Sequence, residues 1–163
     1  MNITLIGMSG VGKSRIGQLL AKTMNYSFID VDKVIEKTND RKLQELIDFL
    51  GDEKFIELEE KAILSIGRID NSVISPGGSS IYSIAAMNFL KSNSKIVFLN
   101  ASLEEIKSRN LDFSKRGIVG LKGKGLESLF EERLPLYKRY ADVTIDLKNF
   151  SDWIIVRKII ERI

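Results

Sequence analysis

The sequence predicts a single α/β domain built on a parallel β-sheet with helices on both faces. Three observations point there. Short β-type runs recur along the chain and alternate with segments of helical spacing. The runs are nearly continuously apolar, as strands buried on both faces are. The chain has 163 residues, 44% hydrophobic and 29% charged, which suits one domain with a substantial core.

In chain order, the strand-like runs are ITLIG (3–7), SFIDV (27–31), SVIS (72–75), KIVFLN (95–100) and VTIDL (143–147). The first helix is expected from Lys13 to about Met24, with Ile16, Leu19 and Leu20 on one face. Residues 33–50 add a helical excursion. A helix follows from about Asp52 to Ile66, with Phe55, Leu58, Ala62 and Leu64 directed mostly inward. Further helices are expected over roughly 80–91, 102–109, 125–140 and 150–162. The stretch DFSKRGIVGLKGKG (112–125) holds four glycines, three lysines and Arg116. It is too polar and glycine-rich for core and reads as a mobile loop, either plain surface or a lid over a phosphate.

Composition narrows the chemistry. With no cysteine and no histidine, disulfides, thiolate metal sites and imidazole catalysis are excluded, so acid–base work falls to carboxylates, lysine or tyrosine. No run approaches a membrane span, and the short apolar N-terminus, without a basic flank, is not a signal peptide. A net charge of +3 does not call for nucleic acid and fits a protein handling small anions. The expectation is a cytoplasmic protein that binds no membrane.

Residues 7–14, GMSGVGKS, match G-x-x-x-x-G-K-[ST] through Gly7, Gly12, Lys13 and Ser14, between a strand and a helix. Glycines allow a tight turn whose N–H groups surround phosphate oxygens, with Gly10, Val11 and Gly12 contributing backbone. The lysine supplies a point charge at the β/γ phosphates, the serine hydroxyl ligates Mg²⁺, and the helix N-terminus favours the anion. An acceptor site is then expected at the carboxyl ends of neighbouring strands. Two motifs fall there. In FIDVD (28–32) strand alternation puts Asp30 and Asp32 on one side, suited to a Mg²⁺ shell and a hydroxyl nucleophile; alternatively Asp32 caps the next helix. In SPGGSS (75–80) the paired glycines Gly77 and Gly78 let a ligand approach the backbone, and Ser79 or Ser80 is placed to cap a helix.

These pieces in this order resemble the shikimate kinase family of P-loop kinases. The likeness runs through GMSGVGKS, FIDVDKVIE (28–36), GDEKFIELE (51–59), VISPGGS (73–79), the loop near Arg116 and RLPLYKRYAD (133–142). It implies a three-layer P-loop fold with five parallel strands in the order 2-3-1-4-5. It also implies transfer of the ATP γ-phosphoryl to a hydroxyl of a small acceptor, with Mg²⁺, by a monomer. The matching positions make Lys13, Asp32 and the lid arginine Arg116 catalytic, and add Arg15 and Arg109, the latter against adenine, to the nucleotide site. Ser14 and Asp30 would hold the metal. Asp32, Gly77, Gly78 and Arg133 would bind the acceptor, Arg133 through its carboxylate, between acceptor-binding helices at about 33–62 and a lid at about 112–125. A plain surface arginine paired with glutamate is the competing reading of Arg133.

The chain departs from the family pattern. Where G-E-x-x-F-R-x-x-E places an arginine that helps bind the acceptor carboxylate, this sequence has Ile56, which donates no hydrogen bonds. A triple glycine becomes Gly77-Gly78-Ser79, and the lid reads Arg116-Gly117-Ile118-Val119. Either Lys54 or Lys61 replaces the arginine, or shikimate is bound poorly, or the acceptor is another hydroxylated molecule. A nucleotide-responsive binding module without an acceptor is the reading from outside enzymology.

Overall fold

The computed structural model describes residues 1–109, 112–113 and 117–163. The chain runs β1 (Asn2–Ile6), α1 (Lys13–Met24), β2 (Ser27–Asp30), α2 (Val31–Asn39), α3 (Leu43–Leu50) and α4 (Asp52–Leu64). It continues through β3 (Ser72–Ser75), a short 3₁₀ turn (Ser80–Tyr82), α5 (Ile84–Asn93), β4 (Ser94–Asn100) and α6 (Leu103–Ser108). It closes with α7 (Leu121–Tyr140), β5 (Val143–Asp146) and α8 (Asp152–Ile160).

The strands form one parallel sheet in the order β2-β3-β1-β4-β5, as the resemblance implied. Every residue of β1 and β3 is buried, so neither face of the sheet centre meets water. Helix α1 packs on β1, β2 and β3 and against α8, while α5 and α7 pack on β4. The apolar strand side chains, among them Ile3, Leu5, Ile74, Ile96 and Leu99, thereby form a single core with Ile16, Leu20, Ile63, Leu90 and Ile159 from the helices. Among the described residues no helix is long and apolar enough to cross a membrane.

Three local expectations are corrected. Strand β2 stops at Asp30, which caps α2 by accepting from the Lys33 N–H at 3.3 Å. Asp32 therefore lies in the first turn of a helix, and strand alternation does not govern it. Along α4 the buried residues are Phe55, Glu59 and Ile63, whereas Leu64 is exposed. That i, i+4, i+8 stripe turns a carboxylate inward. Finally, the 112–125 stretch is not loop throughout: Ile118 and Val119 are buried and α7 begins at Leu121, broken by non-helical Gly125. Two apolar residues within a polar, glycine-rich run are enough to pin its second half to the core. Arg116 lies outside the described residues.

The loop after β1 depends on glycine at its first position. Gly7 has φ +148°, and a Cβ there would sit 2.8 Å from the Leu99 carbonyl oxygen of β4. Backbone cannot step aside as a flexible side chain does. Replacing Gly7 with Ala is expected to cost about 1–3 kcal/mol, read as a lower midpoint in urea unfolding. A midpoint equal to wild type would show that β1 and β4 can separate here at no cost.

Candidate active site

Helix α1 starts on Gly12, whose left-handed backbone (φ 95°) turns the chain from the loop into the helix. The N–H groups of the first helical turn lack intrahelical partners and point out of its N-terminus. They open onto a cleft of about 680 Å³ lined by Ser9, Gly10, Gly12, Lys13, Ser14, Arg15, Asp32, Ser75, Arg109, Asn149 and Phe150. Lys13 folds back along the loop and its Nζ donates to the carbonyls of Gly7 (2.8 Å) and Met8 (3.2 Å). The Ser14 hydroxyl donates to Asp30 Oδ2 at 2.7 Å. These hard oxygens beside a phosphate loop fit Mg²⁺, which takes one or two protein ligands and completes its shell with phosphate and water. Among the described residues no cluster of three or more acidic ligands exists, in keeping with that sparse mode.

The other nucleotide-side residues sort themselves by packing. Val11 is buried in the core, so it can serve a ligand only through its backbone. The Arg109 Nη1 donates to the Gly10 carbonyl at 3.0 Å, which holds the guanidinium at the cleft wall. Arg15 lines the cleft but pairs with Asp152 at 2.8 Å. Asn149 and Phe150, from the turn between β5 and α8, complete the wall and were missed in the sequence. Phe150 carries Lys158 on its ring at 4.8 Å. Nothing in one sequence separates these two from an ordinary turn.

A second, nearly closed pocket of about 40 Å³ lies beside the phosphate cleft and shares Ser9, Lys13 and Asp32 with it. Gly77, Gly78, Ser79, Phe55, Arg133 and the segment Gly117-Ile118-Val119 form the rest of its lining. Arg133 is 1% exposed, which excludes a surface role. Its Nη2 donates to the Val119 carbonyl at 2.7 Å and its Nε to the Tyr82 hydroxyl at 3.2 Å. Its Nη1 lies 3.0 Å from where a Gly78 Cβ would be, on the side of the turn that the Tyr137 hydroxyl also faces. Tyr137, one turn later on α7, donates to the Gly78 carbonyl at 2.7 Å. Lys54 and Lys61 are exposed and line neither pocket, so neither stands in for an arginine at position 56. Ile56 is half-buried and packs against the core.

The serines after β3 also act differently from expectation. Ser83, not Ser79 or Ser80, caps α5 by accepting from the Ala86 N–H at 3.0 Å. Ser80 donates to the Gly77 carbonyl at 2.9 Å, and Ser79 donates to Glu59 Oε2 at 2.5 Å. Glu59 is 1% exposed, and its Oε1 has no hydrogen-bond partner among the described residues. That oxygen and Asp32 Oδ1 lie 2.4 and 2.8 Å from where a Gly77 Cβ would be, so only glycine fits between them. Sequence reasoning missed Glu59; its signal is the spacing with Phe55 and Ile63.

Burial dominates the electrostatics. Although Lys13 and Asp32 keep some accessible surface, protein crowds their charged ends. Desolvation pushes the Lys13 ammonium down to about 8 against the pull of Asp32. Desolvation likewise pushes Asp32 up to about 6 against the pull of Lys13, with Asp30 adding to the rise. Glu59 rises to about 7, through burial first and the Asp32 charge second. In the folded protein Glu59 thus holds its proton between its ordinary value of 4.5 and about 7, where the unfolded chain has lost it. Stability from this group is therefore full below 4.5 and is lost as pH rises through that window. Glu59→Gln does not titrate, so it should gain on the order of 2 kcal/mol over wild type between pH 4.5 and pH 8. Urea unfolding of both proteins at the two pH values measures this, and an equal gap at both would count against a protonated Glu59.

A sequence model of the shikimate kinase family matches residues 9–163. The shikimate kinase of Sulfurihydrogenibium sp. is 33% identical over 162 residues, covering 99% of this chain and 97% of that protein. That of Francisella tularensis subsp. novicida is 37% identical over 161 residues, covering 97% and 92%. Among solved structures, shikimate kinase from Acinetobacter baumannii in complex with shikimate superposes with a TM-score of 0.89 at 26% identity, covering 98% of this chain and 90% of that one.

Proposed function

The chain belongs to the shikimate kinase family, and from that premise we propose that it transfers the γ-phosphoryl group of ATP to a hydroxyl of shikimate. One observation carries the reading: Lys13 and Asp32 line both the phosphate cleft and the adjoining small pocket. A phosphoryl donor in the first and a hydroxyl in the second would therefore meet at the same two side chains.

In this reading the first-turn amides of α1 and Lys13 hold the β and γ phosphates, while Arg109 and Phe150 flank the base. Ser14 and Asp30 would hold Mg²⁺, which supplies charge neutralisation on the phosphates when bound. Asp32 orients the acceptor hydroxyl and takes its proton, and Arg133 meets the acceptor carboxylate through its Nη1 edge beside Gly78. Phosphoryl transfer asks little covalent chemistry of the protein, so positioning and charge account for the catalysis. The acceptor pocket is small, about 40 Å³, and the 117–119 segment forms one of its walls. We assign this segment as the lid.

Release of ADP on addition of shikimate tests the proposal. Turnover of gluconate, nucleosides or hydroxy amino acids in its place would overturn shikimate as the acceptor, and nucleotide binding without turnover across the panel would overturn the kinase reading. Lys13→Ala should abolish measurable turnover while leaving the circular dichroism spectrum and unfolding midpoint close to wild type. Ile56→Arg restores a second carboxylate donor and should raise kcat/KM for shikimate about 10-fold or more, from the roughly 1.5–3 kcal/mol of a charged hydrogen bond. The gain should lie in KM; a change confined to kcat would mean that position 56 does not face the acceptor.

A further inference from the structure

Among the described residues Glu59 is a buried carboxylate with no ion pair, held by one hydroxyl, and no step described above uses it. Lys13 of α1, Asp32 of α2 and Arg133 and Tyr137 of α7 face it from the neighbouring helices, and Ser79 and Gly77 face it from the turn after β3. Ser79 fixes Oε2, which leaves Oε1 immediately behind Gly77, beside Asp32 and one layer from the acceptor pocket. Among the described residues the charges gathered there are two cations, Lys13 and Arg133, and two carboxylates, Asp32 and Glu59. With the Glu59 proton on, the cluster is net positive by one charge. With it off, the cluster is neutral, and a buried negative charge with one orphaned oxygen stands behind the site where an acceptor carboxylate must bind.

We propose that Glu59, positioned by Ser79, determines the affinity of the acceptor pocket for an anionic acceptor, binding being tight when Glu59 carries its proton and weak when it has lost it. Ile56 gives this proposal its setting, because Arg133 is then the only guanidinium among the described residues that lines the pocket. With one donor in place of two, the field behind the carboxylate weighs more. The inference rests on the shikimate reading for the identity of the anion but not for the state of Glu59. Burial pushes Glu59 up to about 7.

The test follows shikimate KM and kcat from pH 6 to 8.5 at saturating ATP and Mg²⁺, in wild type, Glu59→Gln and Ser79→Ala, with a ¹³C titration of the Glu59 carboxyl in the free protein. The wild-type KM should rise about tenfold across pH 7, with kcat changing far less. In Glu59→Gln the part of the rise due to Glu59 should vanish, because the amide neither titrates nor gains charge. Any contribution from the Lys13 ammonium persists in that variant and is subtracted by the comparison. Ser79→Ala removes the hydroxyl that favours the ionised form, so the KM rise and the carboxyl midpoint should both move to higher pH. A wild-type KM independent of pH, a rise of undiminished size in Glu59→Gln, or a carboxyl midpoint in the ordinary glutamate range overturns the proposal. Absence of shikimate turnover at every pH strikes the shikimate reading instead. The carboxyl titration then decides for Glu59: a midpoint near 7 that rises in Ser79→Ala supports the assignment, and one in the ordinary range overturns it.

Discussion

The Lys13 ammonium is drawn out of water and tied to the carbonyls of Gly7 and Met8, and the arrangement of both pockets depends on how that buried cation is compensated. Removing a charge from water costs several kcal/mol unless partners surround it. The parallel sheet delivers those partners. Because β3 lies between β2 and β1, with Asp30 in register with Ser75, three strand ends open on one edge. The phosphate loop, the Asp30–Asp32 corner and the Gly77–Ser79 turn leave from those ends. The carboxylates that settle Lys13 are thus the ones available to a metal and to a hydroxyl. The fold cannot place the lysine without also assembling much of the site.

The acceptor side is fixed by a different anchor. Tyr137 stacks on Phe98 of β4, with ring centroids 5.3 Å apart and an 18° interplanar angle, and donates its hydroxyl to the Gly78 carbonyl. One aromatic side chain thereby ties α7 to the sheet and to the glycine turn together. Arg133, four residues earlier, is carried on the same face of the helix. Its guanidinium arrives beside Gly78 already ordered by Tyr82 and Val119, so little rotamer entropy remains to be lost when a carboxylate binds. The Gly125 break lets the first turn of α7 leave the axis that Tyr137 imposes, which allows Val119 to reach Arg133.

How much of this the sequence disclosed depended on the range of the interaction. The five strands and the phosphate loop were legible because apolar runs and a motif of fixed spacing encode them locally; the hydrogen bond from Ser14 to Asp30, sixteen residues on, is not encoded that way. The strand order came through resemblance to a family, since nothing in the spacing of strands orders them. Asp32 was expected on a strand face; it reaches the cleft instead from a helical turn that Asp30 caps, and a two-residue alternation hides that turn. Ser79 was expected at a helix cap, but a carboxylate twenty residues away in sequence claimed its hydroxyl. Asn149 and Phe150 depend on how β5 hands over to α8, which a turn sequence alone does not reveal. Ile118 and Val119 were read by the polarity of their neighbours, although burial is decided residue by residue.

The closed acceptor pocket follows from the same economy of charge. Arg133 is a buried cation whose Nη2 donates, among the described residues, to a neutral carbonyl, that of Val119. A carboxylate offers it a charge-assisted bond about twice as strong as a neutral one. Entry of an anion can therefore release the 117–119 segment, whose buried apolar residues Ile118 and Val119 favour return over the filled site. An arginine at position 56 would have supplied a second cation with its own claim on the carboxylate. On the proposed reading, with Ile56 there, Arg133 holds both the empty and the filled state, and the neighbouring carboxylates Asp32 and Glu59 set how strongly it prefers one to the other. Selectivity for the acceptor would then rest on the balance of charge behind Gly77 more than on the number of donors in front of it.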